Sequence, residues 1–298
     1  MLHPFFILNG MKQNSKQLTV LEAVQLSTGY LEEKGIESPR LNAELLLANI
    51  LNCKRLDLYL MFERPLNEEE IQTYREYIAR RGKYEPLQYI LGEVEFYGIK
   101  LKVSKDVLVP RPETELLVEE AIKLSSDNNV KSIIDIGSGS GNIAISLAKS
   151  LNGVKVTSID MSSSAIKVAE ANAEFNVVND KIEFIVSGIE EYRTHQQFDL
   201  IVSNPPYVSE RDYSSLQKEI LEYEPLESVT DKSDGYKFYR LISERSRDLL
   251  KSGGFLLFEM AAGQSEKIKS ILERNNFSDI KIVKDYQNID RVIIGKKI

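Results

Sequence analysis

The sequence predicts an α/β protein: a seven-stranded, doubly wound sheet with its last strand antiparallel, preceded by a small N-terminal helical bundle and a β-hairpin linker. Three observations predict it. Residues 18–85 carry helix-start signals and helical apolar spacing. Residues 86–112 turn to short apolar stretches broken by Gly98, Pro110 and Pro112. From residue 113 onward, apolar runs of strand length alternate with amphipathic segments, as strands and crossover helices do. The chain therefore divides into a helical domain (11–85), a hairpin linker (86–112) and a larger α/β domain (113–298).

In the helical part, Thr19 and Glu22 have capping-box spacing, and Leu21, Val24, Thr28 and Leu31 form one side of the helix that follows. Gly35 fits its end. Ser38-Pro39 predicts an N-cap followed by proline at the first helical position, with Leu41, Leu45, Leu46 and Ile50 facing inward. Asn67 and Glu70 open a further helix, with Ile71, Tyr74 and Ile78 on one face and Gly82 at its close. In the linker, residues 95–98, 101–103 and 107–109 predict short strands with a hairpin around Gly98.

The α/β part predicts strands at 132–136, 154–160, 182–186, 198–203, 255–259, 280–283 and 291–294. Helices fall at 113–124, 142–151, 163–175, 236–250 and 264–275, the fourth ended by Gly253-Gly254. The link 284–290 is too short for a parallel crossover, so the last two strands run antiparallel. The charged stretch 208–234 has few helix signals and reads as a lid over a target or as a solvated insertion.

Composition sets limits. The net charge of −7 on 298 residues argues against a surface built to coat a phosphate backbone. One cysteine, Cys53, precludes an intrachain disulfide, and with His3 and His195 it makes a poor zinc set, so no metal is expected. Cys53 follows an apolar helix and reads as a small core residue. No run approaches a membrane span, and the apolar run 5–8 is too short for a signal-peptide core. A cytoplasmic monomer is expected, with Met11 as an alternative start and residues 1–10 as a loose extension.

Three motifs carry chemistry. Asp135-Ile136-Gly137-Ser138-Gly139-Ser140-Gly141 follows a strand and opens a helix, where glycines let a ligand approach the backbone and the helix start favours an anionic group. Asp160, at the end of the next strand, suits the two ribose hydroxyls of a nucleoside cofactor. Methyltransferases and dehydrogenases both satisfy these two. Asn204-Pro205-Pro206-Tyr207, at the end of the 198–203 strand, separates them. Consecutive prolines lock the backbone, so their carbonyls and the Asn204 side-chain oxygen form rigid acceptors. A planar NH2 group has two donors that need such acceptors, and Tyr207 covers its face. Holding both protons gathers electron density on a resonance-weakened nitrogen, which a sulfonium methyl must meet in line.

With these residues in view, the sequence resembles the HemK/PrmC methyltransferases over nearly its whole length. Ser38 to Leu41 with Ala43-Glu44 is similar to their helical-domain signature, and Pro86 to Gly92 with Glu95 to Tyr97 to their linker. Pro110-Arg111-Pro112-Glu113-Thr114-Glu115 resembles the stretch that distinguishes them from other enzymes with the Asn-Pro-Pro-Tyr motif, and Glu224-Pro225-Leu226, Gly254-Phe255 and Asp290-Arg291-Val292 also match.

The resemblance implies a Rossmann-like methyltransferase that uses S-adenosyl-L-methionine and releases S-adenosyl-L-homocysteine. Its substrate would be the glutamine of the Gly-Gly-Gln motif in class I peptide chain release factors, gripped by the helical domain. It implies Gly137, Ser138, Gly139, Ser140 and Gly141 along the methionine part of the cofactor, and Asp160 on its ribose. Asn204, Pro205, Pro206 and Tyr207 would hold the glutamine, with Asn204, Pro205 and Tyr207 acting in catalysis and Asn204 also bordering the cofactor. Arg111 and Glu113 would help close the site, and Glu259 would line it. The family often carries an acid for the adenine amino group where this chain reads Ser187-Gly188-Ile189. Backbone at Gly188 and apolar contact from Ile189 would hold adenine instead, since Glu190 substitutes only by a shifted register. Two rivals stand beside this: an adenine amino-group methyltransferase on nucleic acid using the same Asn204–Tyr207 motif, and a cofactor-binding protein with a lapsed site.

Overall fold

The protein is described by a computed structural model covering residues 18–298. The readings of residues 1–10, the 5–8 run, His3 and Met11 lie outside the described residues. The chain forms two compact units that divide between Gly92 and Glu93.

The N-terminal unit holds α1 (Val20–Glu33), α2 (Pro39–Ile50), a 3-10 turn (Arg55–Leu60), α3 (Glu68–Arg81) and α4 (Leu87–Leu91). Both capping boxes form: Thr19 with Glu22, and Asn67 with Glu70. Gly82 caps α3 where a side chain would strike the Tyr30 ring at 2.6 Å. Cys53 is half-buried against the apolar core of this unit.

Ser38 is the N-cap of α2 and Pro39 its first helical residue, as expected, but Ser38 lies in the left-handed region (φ 49) and its hydroxyl makes no cap bond. The Asn42 amide instead donates to the carbonyls of Glu37 and Ser38. The inward face of α2 is Ala43, Leu46 and Leu47 with Asn42 and Glu44, while Leu41 is 43% exposed. Apolar periodicity misplaced that face because two of its members are polar and buried through partners. Glu44 takes Arg40, Arg55 and Tyr59, and Asn42 accepts from Arg81.

The second unit opens with the hairpin β1 (Glu93–Phe96) and β2 (Ile99–Lys102). Tyr97 and Gly98 turn it, both at positive φ (47 and 70), the demand of a tight two-residue loop. The Asn172 and Asn176 amides donate to the carbonyls of Lys102 and Lys100, which ties the hairpin to the helix carrying those asparagines.

The sheet comprises β3 (Ser132–Ile136), β4 (Lys155–Asp160), β5 (Ile182–Val186), β6 (Phe198–Ser203), β7 (Leu250–Glu259), β8 (Phe277–Lys284) and β9 (Asp290–Lys297). Their spatial order is β5-β4-β3-β6-β7-β9-β8, and β9 runs antiparallel to both β7 and β8. The predicted architecture, with its antiparallel last strand, is the one observed. The helices are α5 (Thr114–Asp127), α6 (Asn142–Ser150), α7 (Ser163–Phe175), α8 (Glu210–Tyr213), α9 (Lys218–Tyr223), α10 (Leu226–Val229), α11 (Lys237–Leu249) and α12 (Ser265–Arg274).

Alternate strand residues feed two separate cores. Ile133, Leu200, Val202 and Leu257 pack with Leu117, Ile143 and Leu147 on one face. Ile134, Ile201, Leu256 and Phe258 pack with Tyr239, Ile242 and Ile268 on the other. A strand buried on both faces reads as a continuous apolar run, which is why these strands are plain in the sequence.

Two boundaries differ from expectation. Gly253-Gly254 does not end the helix before it: β7 already begins at Leu250, opposite Phe198, and the glycines lie within a register shift. A side chain at Gly254 would sit 3.0 Å from the Asp199 carbonyl. The 208–234 stretch holds three short helices, α8 to α10, pinned at its ends where Val208 bridges Thr230.

Candidate active site

Strand order reverses between β3 and β6, and in open α/β sheets such a switch point leaves a crevice beyond the strand ends. A cavity of about 350 Å³ lies there, within the roughly 300–1,000 Å³ of small-molecule sites. Gly137, Gly139, Ser140, Asp160, Gly188 and Ile189 line it, as do Asn204, Pro205 and Pro206.

The glycine loop is set by backbone geometry. Gly137, Gly139 and Gly141 all have positive φ (88, 53 and 80). Their reasons differ. A side chain on Gly141 would meet Ile145 at 2.9 Å and Ala169 at 3.1 Å, so this glycine serves the packing of α6 on α7. One on Gly139 would meet nothing within 4 Å and would project into open space on the cavity wall. Asp160 braces the loop: one carboxylate oxygen accepts from Gly139 N (2.9 Å), the other from Ser162 N (2.8 Å). Each oxygen keeps a lone pair for a hydroxyl. Burial raises the Asp160 pKa, and those two N–H groups oppose the rise.

Behind the loop, Asp135 is fully buried. Its Oδ2 accepts from Ser158 at 2.8 Å, while its Oδ1 and the Ser138 hydroxyl have no partner. Burial pushes the Asp135 carboxyl up to about 7, and the Ser158 hydroxyl holds it back.

A smaller cavity of about 130 Å³ shares the Asn204–Pro206 stretch with the larger one and is lined further by Tyr207, Leu216 and Ile220. Asn204, Pro205 and Pro206 line both cavities, whereas Tyr207 lines the smaller alone. Asn204 Nδ2 donates to Thr114 Oγ1 at 3.1 Å, which leaves Oδ1 as the free end of the amide. Among the described residues the carbonyls of Pro205 and Pro206 accept no hydrogen bond. The Tyr207 carbonyl is held by Gln264 Nε2 at 3.2 Å, and a side chain on Gly235 would strike that carbonyl at 2.7 Å.

Arg111 lines both cavities and pairs at 2.6 Å with Glu224, a buried acid at the foot of the 208–234 stretch. Burial raises the Glu224 pKa and Arg111 draws it back. Glu113 is exposed at the start of α5, makes no cap bond and lines neither cavity. Ser138 and Gly141 are buried behind the loop, and Glu190 is exposed. Glu259 is buried at the end of β7 beside Tyr207.

Sequence reasoning missed Thr114, Met161, Phe238 and Ile242, all of which line the larger cavity. Thr114 has a signal in the Pro110–Glu115 stretch. Phe238 and Ile242 have none, because only the packing of α11 brings them to the cavity.

Known proteins match most of this chain in sequence. The family described as the PrmC N-terminal domain matches residues 22–92, and the methyltransferase small domain matches residues 112–224. A release factor glutamine methyltransferase from Geobacter sulfurreducens is 41% identical over 96% of this chain and 99% of its own. The chain belongs to the release factor glutamine methyltransferase family. A second relative of that name, from Fusobacterium nucleatum, is 41% identical over 97% of this chain and 82% of its own. Among solved structures, the 16S rRNA N2 G1207 methyltransferase of T. thermophilus has a TM-score of 0.50 and 17% identity, covering 69% of this chain and 50% of that one. This last likeness is one of fold. As a family member the chain is a methyltransferase. Among the described residues no helix is long and apolar enough to cross a membrane, and no cluster of His, Cys, Asp and Glu is arranged to hold a metal.

Proposed function

We propose that this chain transfers the methyl group of S-adenosyl-L-methionine to the side-chain amide nitrogen of the glutamine in the Gly-Gly-Gln motif of class I peptide chain release factors. The observation that carries this reading is the common wall: Asn204, Pro205 and Pro206 line both a nucleoside-sized cavity and a second one sized for a side chain. The larger cavity suits the cofactor in its details. Gly139 leaves open space where a side chain would stand, Asp160 has lone pairs for ribose, and Ile189 with Met161 offers apolar surface for a base.

When bound, S-adenosylmethionine would supply an electrophilic methyl on a sulfonium, with S-adenosylhomocysteine as the by-product. The protein's part is to orient the acceptor. Asn204 Oδ1 and the Pro205 carbonyl take one proton each of the target NH2, which fixes the nitrogen facing the cofactor cavity. Both acceptors concentrate positive charge stabilisation where the nitrogen becomes cationic as its bond to carbon forms. One of its two protons then passes to water. Tyr207 walls the small cavity and covers the flat amide. Arg111 and Glu224 hold the 208–234 stretch against this wall. The Gly188 backbone and Ile189, which line the larger cavity, would hold adenine, with no carboxylate from that loop.

The helical domain provides the protein-sized contact that one glutamine side chain lacks. The enzyme works as a cytoplasmic monomer on translation factors. The test is transfer of labelled methyl to purified release factors, beside duplex DNA and a release factor whose Gly-Gly-Gln glutamine is replaced. Label lost with the glutamine supports the reading, and label on DNA alone refutes it.

A further inference from the structure

Glu259 is buried (2% exposed) beside the Asn204–Tyr207 turn, and among the described residues no cation forms an ion pair with it. Arg291, whose charge draws the Glu259 pKa down, is itself bonded to Asp285 at 2.9 Å. Oε2 of Glu259 is buried with no hydrogen-bond partner. A lone buried carboxylate is strongly unfavourable unless something uses it. The β6–β7 register pairs Ser203 with Phe258, so Glu259 follows the strand end beside Asn204. The neighbouring hydroxyls that draw its pKa down are those of Thr114 and Tyr207, although among the described residues neither makes a hydrogen bond to it in this structure. Thr114 already accepts the Asn204 amide on its oxygen. A hydroxyl that accepts still has one proton to give, and the strongest acceptor acting on Thr114 is the Glu259 carboxylate.

Building on the methyl-transfer reading above, we propose that Glu259 is the positioning residue of the site, orienting the Asn204 amide through the Thr114 hydroxyl and the Tyr207 ring through its phenol. With the carboxylate ionised, Thr114 gives its proton to Glu259 and presents a lone pair to Asn204 Nδ2, so Asn204 Oδ1 points at the acceptor. With the carboxyl protonated, Glu259 competes with Asn204 for the Thr114 oxygen. The Asn204 amide is then free to turn its NH2 toward the substrate NH2, donor against donor. Burial and the charge of Glu113 on α5 raise this carboxyl to about 7, against Thr114, Arg291 of β9 and Tyr207. Tyr239 of α11 packs from behind, its hydroxyl on the Glu259 backbone carbonyl. Activity is therefore present above neutral pH and lost as pH falls through it.

The experiment uses the full chain with release factor as substrate. Glu259→Gln and Thr114→Val are each expected to lower kcat about 100-fold. KM and S-adenosylhomocysteine affinity should stay within about threefold, and the acid limb of the pH profile should vanish. Thr114→Ser should restore kcat, and the double variant should be no worse than either single one. Independently of substrate, the Asn204 side-chain NH2 signal in NMR, assigned by its absence in Asn204→Ala, should titrate near neutral pH in the wild type. It should be pH-independent in Glu259→Gln and Thr114→Val. A wild-type kcat in Thr114→Val, or a pH-independent Asn204 signal in the wild type, overturns the proposal. Should the chain methylate no release factor, the substrate reading fails and the NMR titration alone decides the role of Glu259.

Discussion

Glu44 in the helical unit and Glu259 in the sheet unit are both 2% exposed, and they are opposites. Burial pushes the Glu44 pKa up, but hydrogen bonds from Arg40, Arg55 and Tyr59 outweigh it and the net is a lowered pKa. Burial pushes Glu259 up as well, with no bonded cation to reverse it, and the carboxyl ends at about 7. The first acid is neutralised by its surroundings and serves as a structural tie between α2 and the 3-10 turn. The second is kept partly unsatisfied at a strand end next to the acceptor turn, where a shifted carboxyl marks a working site more often than a structural one.

The largest effect is expected where the uncompensated acid acts. Asn204→Ala should lower kcat by about 100- to 1,000-fold, with S-adenosylhomocysteine affinity within a few-fold in calorimetry. Equal loss of both would place Asn204 in cofactor binding instead.

The compensated acid should show in stability. Glu44→Ala should lower the unfolding free energy by about 2–3 kcal/mol in urea, since the tie is buried on the acid's side only. Because the folded pKa of Glu44 is lowered, its contribution is present above the ordinary carboxylate range and lost as pH falls through the folded value. The variant should lack that acid-side loss.

Glu259 carries the reverse sign. An unfolded glutamate releases its proton near 4.5 while the folded one holds it to about 7, so between these values stability falls as pH rises. Asp135, also raised to about 7, adds in the same direction. Glu259→Gln should therefore stabilise the fold above neutral pH by as much as roughly 3 kcal/mol, while it removes activity. A thermal midpoint of the wild type that climbs from pH 5 to 7.5 would break the comparison of the two acids.

The smallest effects separate two glycines of one loop. Gly141→Ala should destabilise by about 2 kcal/mol through positive φ and the Ile145 and Ala169 contacts. Gly139→Ala should cost about 1 kcal/mol in stability and fall instead on cofactor affinity, since nothing in the protein opposes its side chain. Equal stability losses in the two would deny the loop its ligand-facing side.

What the sequence determined by itself was local or repetitive. The strands β3, β5 and β6 were legible to the residue: β3 and β6, largely buried on both faces, read as near-continuous apolar runs, and the edge strand β5 reads from its β-branched and aromatic residues around an exposed Glu183. Capping boxes at Thr19 and Asn67 were legible because two residues three positions apart settle each. The Gly137–Gly141 loop, Asp160 and the Asn204–Tyr207 turn were legible because each is a short run at a strand end. Tertiary structure alone decided the rest. It turned α2 onto its polar-lined face, since Asn42 and Glu44, beyond their local bonds, complete their partners only when Arg81, Arg55 and Tyr59 arrive. It brought Phe238 and Ile242 to the cavity wall through the packing of α11. It also set Thr114, Asn204, Tyr207 and Glu259 side by side from three distant parts of the chain. That meeting depends on β6 lying next to β7 and on α5 starting beside their ends, and strand order is a property of the whole sheet that no local stretch encodes.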